Sequence, residues 1–249
     1  MNKPLYIREV FSSIQGEGML VGRRQIFVRL TGCNLECNYC DTNFERSDTC
    51  KLESKPGSGH FIDIPQPVSL QQMTAIIVDW QTQLPGAHHS ISFTGGEPLL
   101  EADSLIEWFP EIRKLIPVHL ETNGTLNIAL RSVIDHVDFI SMDMKLPSTS
   151  GSVGELWESH RQFLEQALAT DVSVKIVICE STDKDEVTRV CEIISAVAPS
   201  TPLFLQPLSL PDSTLGISVP HIFRLQEMAA SIIPDVRVIL QMHKLLGVL

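Results

Sequence analysis

Gly32-Cys33-Asn34-Leu35-Glu36-Cys37-Asn38-Tyr39-Cys40-Asp41-Thr42 places three of the chain's six cysteines within eight residues, spaced C-x3-C-x2-C. Thiolates are soft ligands that suit iron–sulfur clusters and zinc. Three ligands on one short loop leave one metal corner without a protein ligand. An iron–sulfur cluster with an open iron can bind a small molecule at that corner. A structural zinc ion would need a fourth ligand to close its tetrahedron, and Cys50 or His60 could supply it. The spacing departs from the two separated C-x-x-C pairs of a zinc ribbon, which favours the cluster.

Upstream of this loop, 24–31 reads as a strand in which Ile26, Val28 and Leu30 alternate with Gln25, Phe27 and Arg29. Burying an unpaired guanidinium is costly, so Arg29 should meet an anion, either a structural Glu or a ligand carboxylate held bidentately. Residues 5–11 are β-prone, and Ser12-Ser13-Ile14-Gln15-Gly16-Glu17-Gly18 reads as a glycine-punctuated loop. Downstream, 43–67 is polar and rich in Ser, Lys, Gly and Pro. It reads as a surface insertion with little regular structure, with Cys50 inside it. Ser69-Leu70-Gln71-Gln72 has the form of a capping box, opening a helix to about residue 84 with Ile76, Ile77 and Trp80 on its buried face. A strand over 89–94 then empties into Gly95-Gly96-Glu97-Pro98, a turn in which backbone can approach a ligand closely.

The rest of the chain alternates strand and helix. A helix over 103–116, kinked or split at Pro110, precedes a strand over 118–122 and a short helix over 127–134. Strand 137–143, helix 155–169 and strand 171–179 follow, then helix 183–197 with Thr182 as its N-cap. Strand 202–207, helix 219–232 and strand 236–242 complete the pattern. This rhythm predicts an α/β fold, a mostly parallel sheet with helices outside. Polar residues recur just after the strand C-termini, namely Cys33, Glu97, Glu121, Asp143, Gln206 and His243, and sites in parallel α/β folds gather on that edge.

With 249 residues, 43% of them hydrophobic, the chain suits one substantial α/β domain over 1–249, insertion included. A net charge of −11 argues against a broad nucleic-acid surface, which needs clustered Lys and Arg, and points to a small-molecule substrate. No apolar run is long enough to span a bilayer, and the opening Met1-Asn2-Lys3-Pro4-Leu5 has no apolar signal core, so a cytoplasmic protein is expected. Cys179 and Cys191 read as packing residues.

Cys33-x3-Cys37-x2-Cys40, with aromatic Tyr39 before the last cysteine, resembles the signature of the radical S-adenosylmethionine (SAM) superfamily. The resemblance implies a [4Fe-4S] cluster on Cys33, Cys37 and Cys40, with the amino and carboxylate groups of SAM on the fourth iron. Electron transfer then cleaves SAM to a 5′-deoxyadenosyl radical, so no side chain is assigned a catalytic role. It also implies a partial (β/α)6 TIM-like barrel with a modified core and, in this chain, a polar insertion after the cluster loop.

The resemblance extends further. Ile14-Gln15-Gly16-Glu17-Gly18, Arg29, Cys40-Asp41-Thr42, Thr94-Gly95-Gly96-Glu97-Pro98, Glu121-Thr122-Asn123-Gly124, Gln206-Pro207 and Gln241-Met242-His243-Lys244 together are similar to the 7-carboxy-7-deazaguanine synthase family. That family converts 6-carboxy-5,6,7,8-tetrahydropterin to 7-carboxy-7-deazaguanine and ammonia, on the route to queuosine and other deazapurines, with the help of Mg2+. By resemblance, Thr42 would ligate Mg2+, a hard ion that prefers oxygen. Tyr39, Asp41, Gly96, Glu97, Ser141, Met142, Asp143, Gln206, Pro207, Leu208 and Ser209 would contact SAM. Many members carry Ser-Pro-Lys where this chain has Ser141-Met142-Asp143. Ile14, Gln15, Gly16, Glu17, Arg29, Thr94, Glu121 and His243 would bind the pterin, and Leu249 would offer its terminal carboxylate in place of the family's closing proline. An electron donor such as flavodoxin or ferredoxin and a homodimer are also implied. Two other readings compete: an activase of a glycyl radical enzyme, which shares the cluster spacing and the Gly-Gly-Glu-Pro turn, and a non-catalytic structural zinc module.

Overall fold

The polar positions of the strands and their apolar positions alternate, and this parity organises the molecule. The computed structural model describes residues 3–40, 45–151, 156–212 and 214–248. Asp41, Thr42 and Leu249, singled out above, lie outside the described residues. Seven strands run parallel: β2 (Arg24–Leu30), β5 (Ser90–Gly95), β6 (Val118–Thr122), β7 (Phe139–Asp143), β8 (Asp171–Ile178), β9 (Leu203–Pro207) and β10 (Val236–Val238). Helices α1 (Leu70–Gln83), α2 (Ala102–Arg113), α3 (Asn127–Val133), α4 (Pro147–Ser150), α5 (Trp157–Ala167), α6 (Lys184–Val197) and α7 (Val219–Ala230) join them, and α8 (Met242–Leu246) follows β10. The edge is extended by β1 (Ile7–Ile14), antiparallel to β2, and by β3 (Thr49–Glu53) and β4 (Phe61–Pro65), giving the order β10-β9-β8-β7-β6-β5-β2-β1-β3-β4. The loop after β1 reaches right across: Glu17 bonds Lys175 on β8 and Gln241 beyond β10. The sheet therefore curls into an open barrel with one mouth.

Because successive residues of a strand face opposite sides, each strand has one apolar and one polar set. Ile26 and Val28, Ile91 and Phe93, Leu120, Ile140 and Met142, Val174 and Ile176 are all buried in the main core. Phe93 meets Phe109 of α2 edge-on at 4.9 Å, and Trp108 beside it is fully buried. The intervening residues Gln25, Ser92, His119, Glu121, Ser141, Asp143, Ser173 and Lys175 have the opposite parity, and hydrogen bonds link most of them inside the barrel. This interior is polar, unlike the apolar filling of a closed barrel.

Several sequence expectations are corrected. Within the 43–67 insertion, the described residues 45–67 are not irregular: β3 and β4 form an antiparallel hairpin, and β3 pairs in parallel with β1. Its turn is organised by Glu53, 3% exposed, whose carboxylate accepts from the backbone N–H groups of Ser12, Gly57 and Gly59. β1 continues to Ile14, through the first residues of the expected loop. α2 runs on through Pro110; Ile106, whose carbonyl the proline leaves without an intrahelical donor, is exposed, so solvent can take that bond. The N-cap of α6 is Asp183, in a capping box with Glu186, while the Thr182 hydroxyl accepts from Cys179 N–H at the end of β8. The last strand stops at Val238, because the chain turns to dock Met242 N–H on Gly16 O at 3.1 Å. The capping box at Ser69 and Gln72 forms as expected.

Replacing Glu53 by Ala removes one buried carboxylate from three N–H groups, that of buried Ser12 and those of Gly57 and Gly59 in the exposed turn. We expect a loss on the order of 3 kcal/mol in denaturant unfolding, with faster amide exchange at Gly57 and Gly59. Unchanged stability would show that the hairpin is held in some other way.

Candidate functional site

The cluster loop is seated by backbone contact. Gly95 adopts φ 108°, and a Cβ on Gly96 would lie 1.5 Å from the Gly32 carbonyl oxygen. Only glycine permits that approach. It lets Glu97 N–H donate to Gly32 O at 2.8 Å and Gly96 N–H to Leu30 O at 3.3 Å. The Glu97 side chain, with no exposure, accepts from Leu99 N–H, Thr122 Oγ1 and Asn123 N–H. Asn123 Nδ2 in turn donates to Asn34 Oδ1 at 2.8 Å, and Asn34 Nδ2 to Thr125 Oγ1 at 2.9 Å, so the turn after β6 grips the loop as well.

Cys33, Cys37 and Cys40 line one cavity with Gly96, Asn123 and Asp143. Burial pushes the thiols of Cys33 and Cys37 above the usual range, and binding iron would deprotonate them. Among the described residues, no three His, Cys, Asp or Glu side chains stand close enough to hold a single metal ion. Cys50 is fully buried in the core, and His60 lies exposed on the β3–β4 hairpin. Neither completes a zinc tetrahedron. Three thiols around one cavity instead fit a cluster, whose irons are themselves spread apart.

This cavity is continuous with a larger one of about 600 Å³, within the range of small-molecule sites. Its floor carries Glu121, which accepts from Gln15 Nε2 (2.7 Å), Ser92 Oγ (2.9 Å) and Thr94 Oγ1 (3.1 Å). One wall carries Arg29, whose Nε donates to Glu9 at 2.7 Å, so a structural Glu does orient this guanidinium at the cavity. The opposite wall is the segment after β10: a Cβ on Gly16 would lie 2.0 Å from His243 Nδ1, so the chain packs this closely only because residue 16 is glycine.

A largely buried ion network spans the two parts. Lys175 Nζ meets Glu17 at 2.5 Å and Asp143 at 3.0 Å; Lys145 Nζ meets Asp143 at 3.0 Å and Tyr39 Oη at 2.8 Å. Burial alone would raise the Glu17 carboxyl, but Lys175, Gln241 and His243 overcome it and hold the carboxyl at about 2. Asp143 is likewise lowered against its burial by Lys145 and Lys175. Two buried acceptors on the cavity, Asp143 Oδ1 and Gln206 Oε1, have no protein hydrogen-bond partner among the described residues.

Residues 27–170 match the family model of the radical SAM superfamily. The chain is 49% identical over 249 residues to the 7-carboxy-7-deazaguanine synthase of Geobacter sulfurreducens, covering 99% of both proteins. It is 34% identical to the synthase of Methanothermobacter thermautotrophicus, covering 97% of this chain and 96% of that one. The chain belongs to the 7-carboxy-7-deazaguanine synthase family of radical SAM proteins. The crystal structure of QueE from Escherichia coli shares the fold, with a TM-score of 0.61 and 19% identity over 95% of this chain and 93% of that one. Family membership brings a [4Fe-4S] cluster and SAM. The three thiols and the two orphaned acceptors beside them suit that pair of cofactors. Among the described residues, no helix is long and apolar enough to cross a membrane.

Most of the residues singled out from the sequence meet at these cavities. Tyr39, Gly96, Ser141, Asp143, Gln206, Leu208 and Ser209 line them, as do Ile14, Gln15, Gly16, Glu17, Arg29, Thr94, Glu121 and His243. Glu97, Met142 and Pro207 do not: Glu97 is turned onto the β6 turn, Met142 is in the core, and Pro207 is buried outside the lining. Sequence reasoning missed Lys145 and Lys175, together with Gln25, Ser92 and His119, which hydrogen bonds link to Gln15 and Glu121. A signal for Lys175 existed, since it interrupts the apolar strand Val172-Ser173-Val174-Lys175-Ile176-Val177-Ile178 just as Arg29 interrupts β2.

Gly96→Ala should force the turn off Gly32, costing on the order of 2–3 kcal/mol, and the reconstituted protein should lack the brown absorbance of a cluster. Normal cluster loading would refute the seating role. Lys175→Met leaves Glu17 and Asp143 short of a cation, and we expect a loss of about 3–5 kcal/mol at neutral pH. With Lys175 present, Glu17 has a folded pKa below the ordinary 4.5, so its contribution is full above that value and fades as pH falls toward 2. Without Lys175, burial raises the folded carboxyl instead and the sign reverses. The deficit of the variant should therefore narrow as urea titrations move from neutral to acid pH; a deficit independent of pH would count against the coupling.

Proposed function

We propose that the cleft performs the ring contraction of 6-carboxy-5,6,7,8-tetrahydropterin to 7-carboxy-7-deazaguanine with release of ammonia. The observation that carries this reading is the junction of two chemistries in one space. The three-cysteine loop opens into a cavity whose far walls hold Arg29, Glu17, Thr94, Glu121 and His243. When bound, the cluster and SAM supply a carbon-centred radical able to take hydrogen from C6 of the pterin.

Everything else in this reading belongs to the chain. Arg29, held by Glu9 through its Nε, turns its guanidinium to the cavity, where it can pair with the 6-carboxylate. Glu121, with its oxygens oriented by Gln15, Ser92 and Thr94, accepts from the amide and amine hydrogens of the pyrimidine edge. Glu17 stays ionised at neutral pH and can accept likewise. Asp143 Oδ1 and Gln206 Oε1 offer acceptors to the amino and hydroxyl donors of SAM, and Tyr39, Gly96, Ser141, Leu208 and Ser209 frame it. Thr42 holds Mg2+ and Leu249 gives its carboxylate to the substrate in this reading. The membership of all ten described strands in one sheet supports a single radical SAM domain over the whole chain. Exposed apolar side chains at Leu240, Met242, Leu245 and Leu246 support a homodimer. A cytoplasmic flavodoxin or ferredoxin is a suitable electron donor for the cluster. The glycyl-radical activase reading explains neither the carboxylate-binding walls nor the near full-length match to the synthases.

Anaerobic turnover of the reconstituted protein with SAM, Mg2+, a reductant and 6-carboxytetrahydropterin should yield 7-carboxy-7-deazaguanine by mass, and Cys33→Ala should abolish it. SAM cleavage without that product would sink the substrate assignment, and full rates in chelator without Mg2+ would remove the metal.

A further inference from the structure

β1 carries one residue more than the stretch of β2 it pairs with. The pairing runs from Ile7 with Leu30 to Glu9 with Arg29, then Val10 with Val28 and Phe11 with Phe27. Arg8 is the extra residue, so Arg8 and Glu9 together stand opposite Arg29, the arrangement of a β-bulge. Burial records the break in parity. Ile7 and Val10, three positions apart instead of two, are both fully buried in the core. Arg8 and Glu9, between them, both line the large cavity, as do Phe11 and Arg29. A regular strand would send one of these two neighbours toward the core; the bulge delivers both to the cavity side.

The wall so formed holds two guanidiniums and one carboxylate, and only one guanidinium is held by it. Arg29 Nε donates to Glu9 at 2.7 Å, and its Cζ lies 5.5 Å from the centre of the Phe11 ring, which stacks on Phe27 at 5.1 Å. Arg8 is partly exposed, and its side chain makes no hydrogen bond, ion pair or ring contact among the described residues. Bulges beside functional sites re-aim a side chain. Here the re-aimed group is a planar cation with five donors and nothing in the protein to receive them. It lines the larger cavity and not the cysteine cavity, so a ligand that meets it lies on the substrate side of the cleft.

We propose that Arg8 is a second cation for the carboxylate of the substrate, acting beside Arg29 and setting the preference of the cleft for a carboxylated ring over an uncharged one. The proposal rests on the reading of the larger cavity as the pterin site. A guanidinium takes a carboxylate through two parallel N–H···O bonds. With Glu9 balancing one arginine, these three side chains leave one positive charge, the complement of a single carboxylate. The chain as a whole carries a charge of −11, so its general field opposes an approaching anion, and a local unpaired cation offsets that repulsion.

Anaerobic equilibrium dialysis of the cluster- and SAM-loaded protein, without reductant, tests this with two probes: 6-carboxytetrahydropterin, and tetrahydropterin lacking the carboxylate. Arg8→Gln should weaken binding of the first roughly three- to tenfold at low salt and leave the second within about twofold. Its melting temperature should not move, since no protein contact is lost. Arg8→Lys, which keeps the charge without the fork, should recover part of the loss. The advantage of the wild type over Arg8→Gln should shrink as salt is raised. Wild-type affinity of Arg8→Gln for the carboxylated pterin overturns the proposal. Equal weakening toward both pterins also overturns it, because that marks a displaced wall and not a lost carboxylate contact. Both results leave the cleft a pterin site, whereas failure of the wild-type protein to bind 6-carboxytetrahydropterin overturns the reading of the cleft and this proposal with it.

Discussion

The buried Glu97 carboxylate holds the mouth of the barrel together. Its oxygens are taken by two backbone N–H groups and one hydroxyl, and its own N–H reaches the Gly32 carbonyl. Three chain segments, the cluster loop and the turns after β5 and β6, are therefore bound to one residue, the first through its backbone N–H and the others through its side chain. An anion can be buried only if its hydrogen-bonding capacity is met from within, and here it is met by the elements that must stay aligned. Burial still raises the Glu97 pKa, which the bonds from Asn123, Leu99 and Thr122 oppose. The glycines before it serve the same end: the short approach of Gly96 to Gly32 is between two stretches of backbone.

The ion network inside the barrel follows from the same polar parity. Alternate residues of six neighbouring strands face inward, and most are hydroxyl, amide or charged groups. Such an interior cannot hold itself together by exclusion of water, so it is held by pairing. Lys175 between Glu17 and Asp143, and Lys145 between Asp143 and Tyr39, give each charge a partner of the opposite sign or a hydroxyl. Removing one member leaves its neighbours buried and unmatched, which is dearer than the pair itself is favourable.

Much of this was legible in the sequence. The strand–helix rhythm gave the parallel sheet, because buried parallel strands and amphipathic crossover helices differ sharply in period. The three cysteines gave the metal chemistry, because their spacing is local. The hairpin of β3 and β4 was hidden, because its alternation, Thr49-Cys50-Lys51-Leu52-Glu53 against Phe61-Ile62-Asp63-Ile64-Pro65, is short and surrounded by turn-forming residues. Motif matching also placed Glu97, Met142 and Pro207 among ligand contacts. A motif marks a segment, and only strand parity tells which of its residues faces the cleft. Lys145 and Lys175 were missed for a related reason: their partners lie on other strands, so their pairing is visible only once the sheet has curled.

The contact between Gly16 and His243 also bears on the order in which this molecule assembles. Glu17 and Gln241, which bond beside it, are 224 residues apart in the chain. Bringing such distant residues together carries a loop-closure cost that nearby strand pairs avoid. The parallel core can gather from neighbouring β-α units, each a local event. The wall that completes the cleft carries the larger closure cost. A form in which the segment after β10 has come away from Gly16 would keep the core and the seated cysteine loop but present an open trough, with Glu17 stripped of its bond from Gln241.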